Sequence, residues 1–218
     1  NFLTKYKMAQ DIRHGDKMDI NSTHPVAEIL QLYGITEEDL ALVKSYGEIV
    51  IPKLPEYVKH FYEWQQPLPE YAEYFSDADR LHRVQKQQIV YWTETFQGVV
   101  NQDYVDRRRR LGETHARVDL SLPTYFAGMS QSLSIFSEML YDQSLTEEEY
   151  AKSLISIAKM VHLDTALVVE AYTIINREKV EKQNQAMMEM SIPVTSIWDG
   201  VLMLPIVGVL DSKRAQDL

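Results

Sequence analysis

Histidine is the residue type through which this chain is best able to bind a metal, because its 218 residues include six histidines and no cysteine. The missing cysteines exclude disulfides, iron–sulfur clusters and thiol nucleophiles. No histidines have the paired spacing of a zinc-binding helix, so a site built from several histidines is not expected. A haem iron, in contrast, needs only a single axial histidine.

The candidate for such a ligand is His115, which lies late in a predicted helix and is followed by a short loop and Pro123. Leu111, Val118 and Leu120 are the apolar neighbours available to line a pocket around it. A lone histidine on a helix is more often a structural or surface residue. The residues alone therefore leave both interpretations open.

Helices are expected to hold this histidine in place. Hydrophobic residues make up 45% of the chain and glycine and proline number 8 each, which argues against a fold of many tight turns. Apolar residues recur at helical spacing through residue 190, from a capping box at Thr36 and Asp39 onward. Pro52 and Pro55 are expected to bend or split one of these helices.

The last helix is expected to be unusually long. A capping box at Thr146 and Glu149 starts it, and neither glycine nor proline interrupts it before Pro193. Its second half is too thinly apolar for the core of a monomer, so a two-stranded coiled coil or dimer stalk is expected. Beyond it the pattern changes to that of strands, and Asp199-Gly200 predicts a hairpin.

The net charge of the chain makes some classes of binding partner less favourable. Lys and Arg total 22 and Asp and Glu total 32, and the resulting net charge of −10 disfavours nucleic acid and anionic membrane surfaces. No apolar run approaches the ~18 residues of a membrane-spanning helix and no signal-peptide pattern is present, so we expect a cytoplasmic protein. Since the chain starts at Asn1 rather than Met, we expect it to be part of a longer one.

The four consecutive arginines at 107–110 stand out in this acidic chain. Consecutive helical residues point in different directions, so we expect mainly a solvated helix face. Pairing with haem propionates or with acidic residues of a partner is the alternative.

Several stretches resemble globin-coupled sensors, which are bacterial haem globins fused to a signalling output. The sequences LGETHARV at 111–118 and LPTYFAG at 122–128 resemble the family's proximal region. QIVYW at 88–92, with the turn that follows it, resembles the distal helix, and Phe61-Tyr62 resembles the distal Phe-Tyr pair. The likeness covers about residues 25–180 in order, and it implies a globin fold with haem b (iron protoporphyrin IX).

The resemblance implies roles for the matched residues. His115 would be the proximal ligand of the iron, and Tyr62 would hydrogen-bond a ligand on the distal side. Gln87 or Gln88 could do the same, and which of them faces inward stays open. The other pocket residues are expected to be Phe61, Leu81, Val84, Leu111, Val118 and Phe126.

Residues 193–218 resemble the start of a STAS domain of the type found in RsbR-like stressosome sensors. In that family a hydroxyl residue near the position of Ser212 is a target of a partner kinase, although Ser212 is equally suited to cap a helix. The implied partners are a second copy through the helices at 123–141 and 146–190, a STAS-domain paralogue, a serine/threonine kinase and a diatomic gas.

Two departures from the globin-coupled sensors concern the loop after the proximal helix. The family's glycine four residues after the histidine is Asp119 here, and one extra residue precedes Pro123, so this loop is expected to differ. Some stressosome sensors have globin-like domains that lack the histidine and bind no haem. This chain keeps His115 and Tyr62, which favours haem binding.

We therefore expect a mainly all-α, globin-like sensor domain with a long C-terminal signalling helix, followed by the truncated β-β-α start of an α/β STAS domain. The expected boundaries are a leader at 1–23, the sensor at 24–175, a helical linker at 176–191 and the STAS fragment at 192–218.

The expected function is haem-based gas sensing rather than catalysis, with O2 as the first candidate and CO, NO and redox state as other signals. The alternatives are a haem-free dimerisation or scaffold domain and an oxygen-consuming enzyme such as a nitric oxide dioxygenase.

Overall fold

The computed structural model of the chain describes residues 25–141, 143, 145–190 and 195–203. This part of the chain is mainly helical, as expected, and ends in a two-stranded antiparallel hairpin. No helix in these ranges is long and apolar enough to cross a membrane. The elements are α1 (Val26–Leu32), α2 (Glu37–Val50), α3 (Leu54–Gln65), α4 (Tyr71–Tyr74), α5 (Ala78–Phe96), α6 (Gln102–Arg117), α7 (Leu122–Tyr141), α8 (Glu147–Met190), β1 (Thr195–Trp198) and β2 (Val201–Met203).

The two predicted capping boxes begin helices, and an asparagine caps a third helix. The Thr36 hydroxyl accepts a hydrogen bond from the backbone N–H of Asp39 at 3.2 Å, and the Asp39 carboxylate accepts one from the Thr36 N–H at 2.8 Å. Thr146 and Glu149 make the same reciprocal pair ahead of α8. Asn101 caps α6 through its side-chain oxygen.

Proline and glycine divide the chain where their backbone preferences require. A 3-10 turn at Ile51–Lys53 separates α2 from α3, which confirms the predicted split at Pro52. After α5, Gly98 adopts a φ of +64°, and a Cβ there would lie 2.3 Å from the carbonyl oxygen of Leu40. Only glycine can therefore end α5 at this point.

An aromatic cluster forms the centre of the helical core. Phe136 of α7 lies with its ring centroid 4.8 Å from Tyr57 of α3, 4.7 Å from Trp92 and 4.9 Å from Phe96, both of α5. All four side chains are almost completely buried. This cluster holds α3, α5 and α7 together beneath the residues that the sequence assigns to a binding site.

The chain divides into two compact units, the first through Ala171 and the second from Tyr172. The first contains the helical core, and the second contains the end of α8 and the hairpin. Both the leader at 1–23 and the predicted limits of the linker at 176–191 remain predictions.

The hairpin turns at Asp199-Gly200, where the sequence predicts it, and Gly200 has the positive φ of 75° that such a turn needs. In the ladder Thr195 lies opposite Met203. Residues 204–218, which include the helix that Ser212 would cap, lie outside the described residues.

Candidate functional site

His115 lies in the last turn of α6, half-buried, with its Nδ1 atom shielded from water. Within the described ranges Nδ1 has no hydrogen-bond partner. Burial lowers the pKa of His115 to about 4, so its imidazole is neutral at pH 7. A neutral imidazole is the form of histidine that binds a metal ion.

Tyr125, in the first turn of α7, is the aromatic neighbour of this histidine. Its ring centroid lies 5.4 Å from that of His115, at an interplanar angle of 55°. The Tyr125 hydroxyl is also buried, next to Thr165. The buried Nδ1 of His115, which has no partner among the described residues, marks a place that an added group or an ordered water completes. The sequence reasoning did not select Tyr125.

Gln88 and Gln87 lie on different sides of α5. Gln87 is exposed, whereas Gln88 is half-buried and its Nε2 donates to the hydroxyl of Tyr57 at 3.2 Å. The same hydroxyl lies 2.7 Å from the Oγ of Ser132 in α7. The amide that faces inward is therefore that of Gln88, and its protein partner is Tyr57, a residue that the sequence reasoning missed.

Tyr62 and Leu81 line one cavity of about 460 Å³ between α3 and α5, together with Gln85 and Ile89. Tyr62 is buried, its ring packs edge-on against Phe75 at 5.4 Å, and burial raises the pKa of its hydroxyl. His115 is not among the residues that line this cavity. The structure thus brings Tyr62 and Leu81 to one cavity, and neither Phe61 nor His115 lines it.

The other predicted pocket residues differ in burial. Phe61 is buried against Tyr57, with ring centroids 5.8 Å apart, and Leu111 is partly buried beside the core. Three are largely open to solvent: Val84 is 36% exposed, Val118 39% and Phe126 49%.

The arginine run is not the solvated face that its sequence suggests. Arg108 is 2% exposed and its Nε lies 3.0 Å from the carboxylate of Asp164, which is fully buried in α8. Arg107 pairs with Glu94 of α5 at 3.0 Å. The expected solvated face is wrong for Arg108, because the buried carboxylate of Asp164 lies opposite it. Asp164 is too far along the chain for a local sequence pattern to reveal this pairing.

Side chains from α5, α6 and α8 surround this ion pair. The hydroxyls of Tyr91 and Tyr104 donate to the Asp164 carboxylate at 2.8 and 2.6 Å. The guanidinium carbon of Arg108 lies 4.0 Å from the ring centroid of Tyr91 and 4.2 Å from that of Tyr104. One further Arg108 nitrogen donates to the Thr95 hydroxyl at 2.8 Å. These bonds fix the spacing of three helices two turns from His115.

The loop after His115 keeps a left-handed residue although it lacks the family's glycine. Asp119 has a φ of +53°, and the N–H of Leu120 donates to the His115 carbonyl at 3.1 Å. The hydroxyl of Tyr74 donates to the Asp119 carbonyl at 3.1 Å. Aspartate is one of the few residues besides glycine that adopts this conformation readily.

Across the described ranges, no group of three or more His, Asp or Glu side chains is arranged to hold a metal ion. A metal at His115 would therefore bring its other ligands with it, as a porphyrin does. The neutral imidazole of His115 and its unpaired Nδ1 fit such a group.

Comparison with known proteins identifies the family to which the helical region is similar. Residues 24–178 match the family model described as Protoglobin. The globin domain of a Geobacter sulfurreducens globin-coupled sensor is similar in structure, with a TM-score of 0.63 at 20% identity over 67% of this chain and 96% of that one.

The globin domain of E. coli DosC is similar in two forms, each at 14% identity over 66% of this chain. Its ferrous form has a TM-score of 0.56 with 96% of that chain covered, and its ferric form has 0.57 with 97% covered. At these identities the structural likeness establishes a globin fold. The family match covers well over half of the chain, which therefore belongs to the Protoglobin family.

Proposed function

We propose that this chain is the haem-binding sensor part of a signalling protein. One observation carries the proposal: in a chain of the Protoglobin family, the last turn of α6 offers a half-buried, neutral imidazole at His115. His115 would hold the iron of a bound haem, and that iron would supply the capacity to bind a small ligand.

Tyr125 is suited to orient the proximal histidine. A metal-binding imidazole normally donates its other N–H to a fixed acceptor, which sets the tautomer and the ring orientation. The Nδ1 of His115 and the hydroxyl of Tyr125 are both buried, on rings 5.4 Å apart, and Nδ1 has no other partner within the described part of the chain. We assign the Tyr125 hydroxyl as the acceptor.

The ion pairs of α6 support a position for the cofactor between α5 and α6. Arg107 and Arg108 both reach Glu94, so α5 and α6 run antiparallel from the loop that joins them. Continuing this antiparallel register away from the connecting loop brings Gln88 level with residues 113–114 and Val84 level with residues 117–118. A flat apolar group between the two helices would also remove Val84 from water, which favours this placement.

On the distal side we retain Tyr62 as a donor to an iron ligand and Phe61, Leu81 and Val84 as its apolar surroundings. An iron ligand with negative charge on its outer atom would be stabilised by the Tyr62 hydroxyl. O2 is the first such ligand, and CO, NO or a change of redox state are the others that the proposal admits.

Signal transfer would run from α6 to α8. Gly112 of α6 lies so close to α8 that a Cβ on it would be 2.3 Å from the Val168 carbonyl oxygen, and Arg108 holds Asp164 of α8. A shift of α6 therefore acts on α8, whose helix extends to Met190. The free energy available to this switch is bounded by the ligand's differential affinity for the two states.

We further propose a homodimer through the helices at 123–141 and 146–190. In the second half of α8, Val180 and Met187 are exposed and lie seven residues apart, the spacing of a coiled-coil seam. The output would be a STAS domain that begins near residue 192, in a stressosome-type assembly with a STAS paralogue and a kinase that acts on Ser212. The sequence resemblance of 193–218 supports this assignment.

The experiment is a haem titration of the apoprotein, followed by the Soret band. Wild type and His162→Ala, which removes an exposed histidine of α8, should bind haem with the same affinity. His115→Ala should bind at least about tenfold more weakly, because the loss of one axial ligand bond exceeds about 1.4 kcal/mol. Equal affinities for His115→Ala and His162→Ala would overturn the assignment of the ligand.

A haem-free scaffold domain is the second candidate, and one observation favours it. The cavity that Tyr62 and Leu81 line lies between α3 and α5 and does not include His115. A chain that stays colourless after haem loading but dimerises would support this second function.

A further inference from the structure

The side chains of Gln88, Tyr57 and Ser132 form a buried hydrogen-bond relay that ends at the carbonyl oxygen of Gly128. The positions of its hydrogen atoms follow from this end point. The Oγ of Ser132 lies 2.8 Å from the carbonyl oxygen of Gly128. A carbonyl oxygen only accepts, so the hydrogen between these atoms belongs to Ser132. The Oη of Tyr57 lies 2.7 Å from the same Oγ, whose single hydrogen is already used, so the Tyr57 hydroxyl donates to Ser132.

The relay also fixes the amide of Gln88. Its side chain meets the Oη of Tyr57 at 3.2 Å, and the only hydrogen of that hydroxyl points to Ser132. The hydrogen in this contact must come from Gln88, so Nε2 faces Tyr57. The opposite orientation would set two oxygens against each other with no hydrogen between them, and it is excluded.

The carbonyl oxygen of Gln88 consequently points away from Tyr57. This Oε1 atom is buried and accepts no hydrogen bond from any residue in the described ranges. One turn further along α5, the indole N–H of Trp92 is buried beside the Tyr57 hydroxyl. Buried polar groups are nearly always paired, by water or a ligand where the protein supplies no partner. The unpaired Oε1 of Gln88 therefore favours a molecule that can donate a hydrogen bond.

We propose that Gln88 is a specificity-determining residue that acts as a hydrogen-bond acceptor and favours an iron ligand carrying its own proton, of the class of water or hydrosulfide. Tyr57 and Ser132 are its positioning residues. The inference rests on the proposed function, because it needs a haem beside Gln88.

The proposal separates two roles on the distal side. O2 and CO have no hydrogen to give, so an amide oxygen directed at them is unfavourable, and the donor they need is left to Tyr62. A ligand with an O–H or S–H group satisfies the Oε1 of Gln88 directly. The relay to Gly128 holds the amide in the accepting orientation, since turning it would leave the hydrogen of Tyr57 or Ser132 misdirected.

The C–O stretching frequency of the ferrous carbonyl complex tests this assignment. An acceptor near the carbonyl oxygen raises the frequency by opposing electron donation from iron into CO, and a donor lowers it. The C–O stretching frequency of the wild type should therefore be higher than that of Gln88→Leu, whose side chain is neither an acceptor nor a donor. Gln87→Leu, a change at the exposed neighbour, should keep the wild-type value.

The positioning role predicts a change of sign. In Ser132→Ala the Tyr57 hydroxyl loses its acceptor and turns its hydrogen to Gln88, so the amide rotates and presents Nε2 to the ligand. The frequency should then fall below that of Gln88→Leu. Tyr57→Phe, which frees the amide, should shift it in the same direction and serves if Ser132→Ala does not fold.

A wild-type frequency at or below that of Gln88→Leu would overturn the inference, and so would positioning variants that keep the wild-type value. These outcomes require a haem protein. A chain that takes up no haem contradicts the proposed function itself, so the two failures are distinct.

Discussion

The Nε of Arg108 lies 3.0 Å from the carboxylate of Asp164, and neither side chain is accessible to water to any useful extent. Arg108 belongs to the helix that carries His115, and Asp164 to the helix that leaves the globin core. The ion pair is thus a fixed point between the proposed binding site and the proposed output. Tyr91 and Tyr104 complete its hydrogen bonds, so the charges are compensated within the core.

Removing one partner of this ion pair should lower the stability of the helical core strongly. Arg108→Met leaves the carboxylate of Asp164 buried without its cation, and we expect the free energy of unfolding to fall by about 3–5 kcal/mol. Urea unfolding of the apoprotein measures it. Arg110→Met, at the exposed end of the same run, should change stability by less than about 0.5 kcal/mol.

The paired replacement Arg108→Met with Asp164→Leu separates charge from packing. It removes both buried charges, so much of the lost stability should return. A single variant within about 1 kcal/mol of wild type would show that the charges do not depend on each other.

Gly112 should be sensitive to a single added methyl group. A Cβ at this position would lie 2.3 Å from the Val168 carbonyl oxygen and 2.9 Å from the Cβ of Ala171. Gly112→Ala therefore forces α6 and α8 apart, and the free energy of unfolding should fall by about 1–3 kcal/mol despite the better helix propensity of alanine. Thr114→Ala, on the exposed side of α6, is the control for chemical denaturation. If the two variants unfold at the same urea concentration, the close approach of these helices is not a constraint.

Asp39 should make stability depend on acid pH. Burial by itself would raise the pKa of this carboxyl, but hydrogen bonds from Lys159, Thr36 and Ser156 outweigh it and lower the pKa to about 2, from an ordinary 3.8. The folded state therefore binds fewer protons than the unfolded state between these values. The stabilisation is fully present above the higher pKa and is lost as pH falls toward 2.

Urea unfolding between about pH 5 and pH 2 measures this contribution, which should amount to about 2 kcal/mol. Asp39→Asn should remove this part of the pH dependence, whereas Glu37→Gln, an exposed carboxyl of the same helix turn, should preserve it. If Asp39→Asn leaves the dependence of the free energy of unfolding on pH unchanged, other carboxyls cause the loss of stability in acid.

The proposed coiled-coil seam predicts a position-specific effect on dimerisation. Met187 lies on the seam that Val180 starts, and it is 61% exposed. Met187→Glu puts a charge at this apolar position and should weaken the dimer at least about tenfold in sedimentation equilibrium. Gln185→Glu adds the same charge two residues away, on another side of the helix, and should leave the dimer intact. A monomeric wild type, or equal weakening by both changes, would contradict the seam.

Local signals in the sequence were sufficient for the helices and the hairpin. The capping boxes, Pro52 and Asp199-Gly200 act within a few residues, so their structural effect can be predicted without knowing the fold. The resemblance to globin-coupled sensors added the order in which these helices assemble.

Contacts between distant parts of the chain were less predictable. Arg108 lies among three other arginines and finds its partner 56 residues later, so its burial cannot be derived from its neighbours. One signal was available: Asp164 lies on the same stripe as Val161 and Val168, where a carboxylate needs a buried cation. Tyr57 contacts Gln88, whereas Tyr62 lines the cavity between α3 and α5. Which of the two tyrosines takes which place depends on how α3 is rotated against α5, and no local spacing in the sequence determines that rotation.

The iron–histidine stretching band of the ferrous protein, measured by resonance Raman spectroscopy, tests the central claim most directly. Wild type should show the band, His115→Gly should lack it, and added imidazole should restore it by occupying the space that the side chain leaves. A His115→Gly protein that keeps the wild-type band without imidazole would show that another residue binds the iron, and the account of this site would be wrong.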